Sequence, residues 1–278
     1  MKKIMAFIML ALSSFGFSQT TDKPEEVKTK TAKKTAKEFL KTNHIPGMAI
    51  SVSRHGKLIW SKGFGYARLK PKKRVKPNKT IFRIASISKS ITAVALAKLA
   101  DDKVIDLDTS IYEYLPDYPK KSYDFTVRQL GGNIAGIRHY KNDSEYALNK
   151  KMSITDGLSL FKDDPLLFEP GTQFNYSSPG YVLLSEIIQK TAKIPYTTLV
   201  TDSVFRPLGM THSMVDGSDI KIPNKSQFYS SSVMNGPVIA KPVANGYKAA
   251  SGGFLSTSKD IVIFGNEIIN PKIVSQQA

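Results

Sequence analysis

The stretch Phe82-Arg83-Ile84-Ala85-Ser86-Ile87-Ser88-Lys89-Ser90 decides how this chain is read. It opens the most helical segment in the sequence, Ile84 to Ala100. Ile87, Ile91, Val94, Ala95 and Leu99 recur at three- and four-residue spacing, and Ala93, Ala95, Ala97 and Ala100 are strong helix formers. The segment is apolar around much of its circumference, which predicts a buried helix. Ser86 and Lys89 are nearly one turn apart, so both side chains leave the same face. A serine hydroxyl is a poor nucleophile until a base takes its proton. A lysine in an apolar setting has its charged form disfavoured, and its pKa falls toward that role. A serine at a helix N-terminus also gains from the positive end of the dipole as an oxyanion forms. Ser86 is the candidate nucleophile and Lys89 its candidate activator. The same S-x-x-K spacing recurs at Ser159/Lys162, Ser218/Lys221 and Ser256/Lys259. Those pairs sit near turns or beside charged residues and read as solvated surface pairs. Only Ser86 opens a long apolar helix.

Working outward, residues 22–42 mix lysine, threonine and acid around Ala36, Phe39 and Leu40, as a charged tether running into an amphipathic helix. His44-Ile45-Pro46-Gly47 breaks it. Met48 to Ser53 and Lys57 to Gly63 flank a His55-Gly56 turn, and the alternation Ile50, Val52 and Leu58, Trp60 predicts a β-hairpin. Arg68 to Lys79 is the densest basic run, broken by Pro71 and Pro77, and reads as a solvated loop. Short helices and loops follow, punctuated by proline, until Tyr181 to Thr191 gives another clear helix and Gly252-Gly253 leads into a last one near Thr257 to Ile269. Tyr176-Ser177-Ser178 lies just before the helix at Tyr181, where a phenol could be presented to a serine from another segment. Tyrosine is common in cores, so this position alone carries little.

The 278 residues hold 40 Lys+Arg and 23 Asp+Glu, a formal charge of +17, with no cysteine and 41% hydrophobic residues. That composition excludes a disulfide scaffold, a collagen-like chain and a wholly disordered one. It also removes thiolate nucleophiles, iron–sulfur clusters and zinc–cysteine sites. Of the basic residues 33 are lysine and 7 arginine. Base readout and bidentate phosphate capture favour arginine, so nucleic acid is not the expected partner. The histidines His44, His55, His139 and His212 fit no H-E-x-x-H spacing and read as turn or surface residues, so no metal is expected. No G-x-S-x-G elbow occurs, which disfavours an α/β-hydrolase.

Met1-Lys2-Lys3, the apolar run Ile4 to Leu12, and Gly16 and Ser18 ahead of Gln19 follow the plan of a secretory signal peptide over residues 1–18. A periplasmic or secreted protein without an integral span after cleavage is therefore expected. A charged tether at 19–30 and one domain over 31–278 complete the organisation.

Phe82 to Ser90 resembles the first motif of the serine β-lactamase-related family: class C β-lactamases, penicillin-binding proteins and family VIII esterases. Ala95 to Leu99 and Leu107-Asp108 continue the likeness, and Pro170 to Tyr181 is similar to the second motif. Phe205 to His212 and Gly252 to Thr257 are further landmarks. Gly136-Ile137-Arg138-His139-Tyr140 and Gly253 to Asn266 bring the chain nearest to the branch of mitochondrial β-lactamase-like serine proteases.

The resemblance implies a mixed α/β (α+β), β-lactamase/transpeptidase-like fold, with an antiparallel sheet flanked by helices and a mostly helical lobe. It implies a serine hydrolase that forms an acyl-enzyme at Ser86 on a peptide, amide or ester, without cofactor or metal. Lys89 would activate Ser86, Tyr176 would shuttle protons, and the Ser86 N–H would supply half of an oxyanion hole. Ser178 stands where the family's Y-x-N motif has asparagine, in a substrate-binding position. Asn133 and Ala135 depart from an H-x-S-G stretch and read as a local packing change. No Lys or His followed by [Ser/Thr]-Gly comes after Gly253, so the third motif and the last sheet strands are expected to be missing. An unpaired edge and an apolar face on the N-terminal strands would follow. The alternative is a truncated, non-catalytic envelope binding protein of the same fold.

Overall fold

Helix α1 (Pro24–Thr42) begins inside the stretch read as a tether. The computed structural model describes residues 24–217, 221–230 and 236–277, so the leader read at 1–18 lies outside the described residues. Ala36 and Leu40 of α1 are buried against Phe64. The chain then turns at His44, at φ +53°, into β1 (Gly47–Arg54) and β2 (Lys57–Arg68). These strands pair antiparallel about His55-Gly56, whose φ values of +50° and +74° suit a two-residue hairpin turn.

The basic loop is not wholly irregular. Lys73–Arg74 forms a short strand, β3, paired to β2, and Arg74 lies 4.5 Å over the Tyr66 ring. Next to it Val75 is buried, an anchor that the surrounding lysines and prolines hide in the sequence.

The antiparallel sheet comes in separate pieces. Besides β1–β2–β3, β4 (Phe82–Arg83) and β5 (Met214–Val215) flank β8 (Phe254–Ser256). A two-stranded ribbon joins β6 (Tyr229–Ser230) to β7 (Val238–Ile239). Among the described residues β1 pairs only with β2, and a cleft of about 440 Å³ lined by Met48, Ile50, Phe82 and Ile261 runs beside it. An apolar groove holding Phe39, Ile59 and Trp60 lies between α1 and the hairpin.

The helical lobe holds the main core. Its long members are α2 (Ile87–Asp101) and α7 (Ser178–Ala192). Between them run four short helices: α3 (Ile111–Tyr114), α4 (Val127–Gly131), α5 (Asp143–Tyr146) and α6 (Ile154–Gly157). Helices α8 (Tyr196–Val200), α9 (Ala249–Gly252) and α10 (Ser258–Ile269) complete the set. Ile91 and Ala95 of α2, Leu183, Ile187 and Ile188 of α7, Tyr196 and Phe254 are fully buried together. Each large side chain there contributes about 1.5–3 kcal/mol by leaving water. Polar ties fix the register: Ser88 Oγ accepts from the Phe254 N–H at 3.2 Å, and the Thr92 and Tyr196 hydroxyls lie 2.7 Å apart.

Two local features correct the sequence reading. Helix α7 starts at Ser178, not Tyr181, because the Ser177 hydroxyl accepts from Gly180 N–H and Pro179 fits the first turn. Ser256 is buried in β8 with its hydroxyl 2.8 Å from that of Ser213, so Ser256/Lys259 is no surface pair. Ser159 does sit at the surface, and Ser218 lies outside the described residues.

Candidate active site

Ser86 is the N-cap of α2, a position where serine usually turns its hydroxyl back onto the helix N–H groups. Here it makes no such bond, and its φ/ψ of −68°/−4° is already helical. The preceding Ala85 takes up the turn at φ +45°, a strained conformation for a residue with a Cβ. The hydroxyl that a cap would have used is thus left for other partners. The Tyr176 hydroxyl is 2.7 Å from it and Lys89 Nζ is 3.5 Å away. Among the described residues the Ser86 N–H has no partner, whereas Ile87 and Ser88 N–H bond to Ile84 and Ala85 carbonyls. That leaves a backbone donor at the nucleophile, free for an oxyanion.

Lys89 is one turn inside α2 and only 6% exposed. Its ammonium donates to the Ser251 carbonyl at 2.6 Å and to Ser178 Oγ at 3.1 Å. With Ser86 Oγ these contacts account for the three N–H donors an ammonium has. Burial pulls the Lys89 pKa down, partly offset by Tyr176. Its Nζ lies 4.6 Å from the Tyr176 ring centroid. For Tyr176, burial raises the phenol pKa, and the Lys89 ammonium and Ser86 hydroxyl beside it outweigh that, so the net shift is downward. The lowered pKa favours the Tyr176 phenolate, which the Lys89 ammonium stabilises, and a phenolate 2.7 Å from the Ser86 hydroxyl can take its proton.

The sequence reading named Ser86, Lys89, Tyr176 and Ser178, and the fold brings all four together. Ser178 stands in the first turn of α7 and its hydroxyl accepts from the Lys89 ammonium, so it contacts the candidate activator directly. Two further residues went unrecognised. Asn133, at φ +59°, is no mere packing change. Its Oδ1 accepts from Ser177 N–H and its carbonyl from Asn175 N–H, both at 2.9 Å. His139 is not a bystander either. Its Nδ1 accepts from Ser178 N–H at 3.2 Å, and its ring meets Tyr176 edge-on at 5.6 Å. Burial, and then the charge of Lys89, lower its pKa, which keeps the imidazole neutral and able to accept. The Gly136-Ile137-Arg138-His139-Tyr140 stretch is the signal that could have found it, since its backbone also accepts from Ser177 Oγ at Arg138.

The Beta-lactamase family model matches residues 32–278. The chain belongs to the Beta-lactamase family. It is 32% identical over 293 residues to the human mitochondrial serine beta-lactamase-like protein LACTB, across 81% of this chain and 53% of that protein. It is 29% identical over 236 residues to Protein flp of Staphylococcus aureus (strain N315), across 84% of this chain and 47% of that one. The chain thus spans about half the length of these curated relatives. The D-amino acid amidase from Ochrobactrum anthropi SV3, solved with D-phenylalanine, superposes with a TM-score of 0.79 at 24% identity, over 90% of this chain and 73% of that one. The octameric penicillin-binding protein homologue from Pyrococcus abyssi gives 0.78 at 24%, over 88% and 57%. These structures show the fold, β-lactamase/transpeptidase-like and mixed α/β. The family is one of serine hydrolases. Among the described residues no helix is long and apolar enough to cross a membrane.

Proposed function

We propose that this protein hydrolyses a peptide, amide or ester bond through an acyl-enzyme on Ser86. The observation that carries the reading is the 2.7 Å contact between the Tyr176 and Ser86 hydroxyls beside the buried Lys89 ammonium. Ser86 Oγ attacks the substrate carbonyl carbon as its proton passes to the Tyr176 phenolate, which becomes the phenol. The carbonyl oxygen becomes an oxyanion and is met by the Ser86 N–H. Collapse expels the amine or alcohol, which leaves with the proton from Tyr176. Water then attacks the ester and gives its proton to Tyr176, which returns it to Ser86. Lys89 remains an ammonium and balances the charge of the phenolate before the attack and after the proton leaves again. The leader-like residues 1–18 support an envelope location, periplasmic or secreted.

The test is intact-protein mass spectrometry after a fluorophosphonate probe, with ester hydrolysis measured in parallel. One adduct is expected, on Ser86, and it disappears in Ser86→Ala along with turnover. An unlabelled Ser86, and hydrolysis that Ser86→Ala leaves unchanged, would sink the reading. Binding of muropeptides with no adduct would support the non-catalytic binding protein instead.

A further inference from the structure

Beside Ser86 lies a small cavity of about 110 Å³, walled by Ser86, Ser178, Tyr140, Tyr146, Lys248 and Arg83. At roughly 30 Å³ per water it holds three or four waters' worth of a ligand. Of those residues the mechanism above uses Ser86, and Ser178 only touches Lys89. Lys248 is the unexplained one. It sits on the turn that leads into α9 and is 4% exposed. Among the described residues, its ammonium makes one hydrogen bond, a donation to the Tyr146 carbonyl at 2.5 Å. Its Nζ lies 5.0, 5.7 and 5.6 Å from the ring centroids of Tyr146, Tyr140 and Tyr247. Among the described residues no carboxylate pairs with it, so two of its three donors are unspent.

The acid whose charge acts on Lys248, Asp216, is already committed. Both oxygens of Asp216 are taken by Arg83, Lys225 and Asn245. Two cations around one carboxylate, with Lys248 beyond them, leave this corner positive. Burial lowers the Lys248 pKa to about 8, so the site holds a proton at neutral pH at a cost that an anion would relieve. A second, larger cleft of about 850 Å³ shares Arg83 as a wall and adds Arg68, Lys73, Lys221, Lys225 and Lys241. A cleft of one sign draws anions toward it.

We infer that this cavity is an anion subsite for the acyl half of the substrate, in which Lys248 receives a carboxylate a few bonds from the scissile carbonyl. The proposal rests on Ser86 acylation and names the substrate class: short acyl groups that end in a carboxylate, of the succinyl or glutaryl type. The ammonium supplies charge-assisted hydrogen bonds, Tyr140 and Tyr146 shape the slot, and the size excludes bulky acyl groups.

The test compares the p-nitrophenyl monoester of succinate with p-nitrophenyl butyrate, the neutral ester of similar length. The wild type should favour the anionic ester by tenfold or more in kcat/KM. Lys248→Met should reduce that ratio toward one, mainly through KM. Equal rates on both esters, or a ratio that Lys248→Met leaves unchanged, would overturn the subsite while leaving acylation of Ser86 standing. A hydrolysis-independent arm uses calorimetry on Ser86→Ala, where glutarate should bind and glutaramide should not. If no ester is hydrolysed and Ser86 takes no probe, the hydrolase reading fails, and glutarate binding still decides the subsite. Equal binding of the acid and the amide would reject it.

Discussion

Tyr176 Oη lies 2.7 Å from Ser86 Oγ, while Lys89 Nζ lies 3.5 Å from it. The shorter contact makes Tyr176, as its phenolate, the direct proton acceptor, and the lysine acts through charge by favouring that form. Tyr176→Phe should lower kcat by about 10²–10⁴-fold, the range for a lost general base, with KM little changed. Lys89→Met should cause a loss of similar size, because the phenol then reverts toward its ordinary pKa. The double variant should be little worse than either single one, since the residues act as a unit. Multiplying losses in steady-state kinetics would contradict a shared proton path.

Asn133 ties two loops together, and its replacements separate backbone strain from hydrogen bonding. At φ +59° a Cβ is unfavourable, and the side-chain amide accepts from Ser177 N–H. Asn133→Gly relieves the first and loses the second; Asn133→Asp keeps an acceptor. Asn133→Ala loses the acceptor and keeps the strain. We expect Asp to retain most activity, and Ala to cost about 1–3 kcal/mol of stability, with Gly between them. Thermal melts with matched kcat values check the order, and a fully active Asn133→Ala would remove Asn133 from the positioning role.

These two residues show where a sequence stops being legible. Helix α2 and the first hairpin were readable because each is written by local periodicity and a local turn. Ser86 and Lys89 followed from spacing on that helix. Asn133 and His139 meet the loop at 177 and 178 across 44 and 39 residues, with no repeat to mark the meeting. The early start of α7 was hidden for a smaller reason: the cap, Ser177, looks like any loop serine until its partner Gly180 is placed. The separation of the strands into pieces was also unreadable, because β4, β5 and β8 are only two or three residues long.

His139 predicts an acid limb in the pH profile. Its Nδ1 accepts an N–H, so a proton there would face another donor. Burial and Lys89 hold the pKa below its ordinary 6.5, Arg138 adds to this, and Glu145 opposes it. A depressed pKa contributes stability that is complete above the unfolded value and is lost as pH falls through the folded one. Below about pH 6.5 the wild type should therefore lose stability and kcat/KM. His139→Gln, which cannot charge, should show a shallower fall. Identical acid limbs in the two proteins would clear His139 of the effect.

Asp216 joins three parts of the chain that frame the site. It is 3% exposed and receives Arg83 of β4, Lys225 and Asn245, and its own N–H donates to the Gly253 carbonyl beside β8. Burial raises its pKa, but the bonds from Lys225, Asn245 and Arg83 outweigh that and hold the carboxyl below its ordinary value. The stability it contributes is present above the ordinary value of 3.8 and is lost as pH falls through the depressed one. Asp216→Asn keeps the shape and removes the charge, which leaves two cations facing each other without an anion. Breaking a fully buried pair costs about 3–5 kcal/mol; because Arg83 and Lys225 are partly solvated, we expect roughly 2–3 kcal/mol. For a domain of this size that corresponds to a fall of about 4–12 °C in Tm at neutral pH. The difference between variant and wild type should close as the pH is lowered toward 3, where the wild-type carboxyl also gains its proton. A gap that stays constant with pH would mean the loss comes from packing and not from the charge.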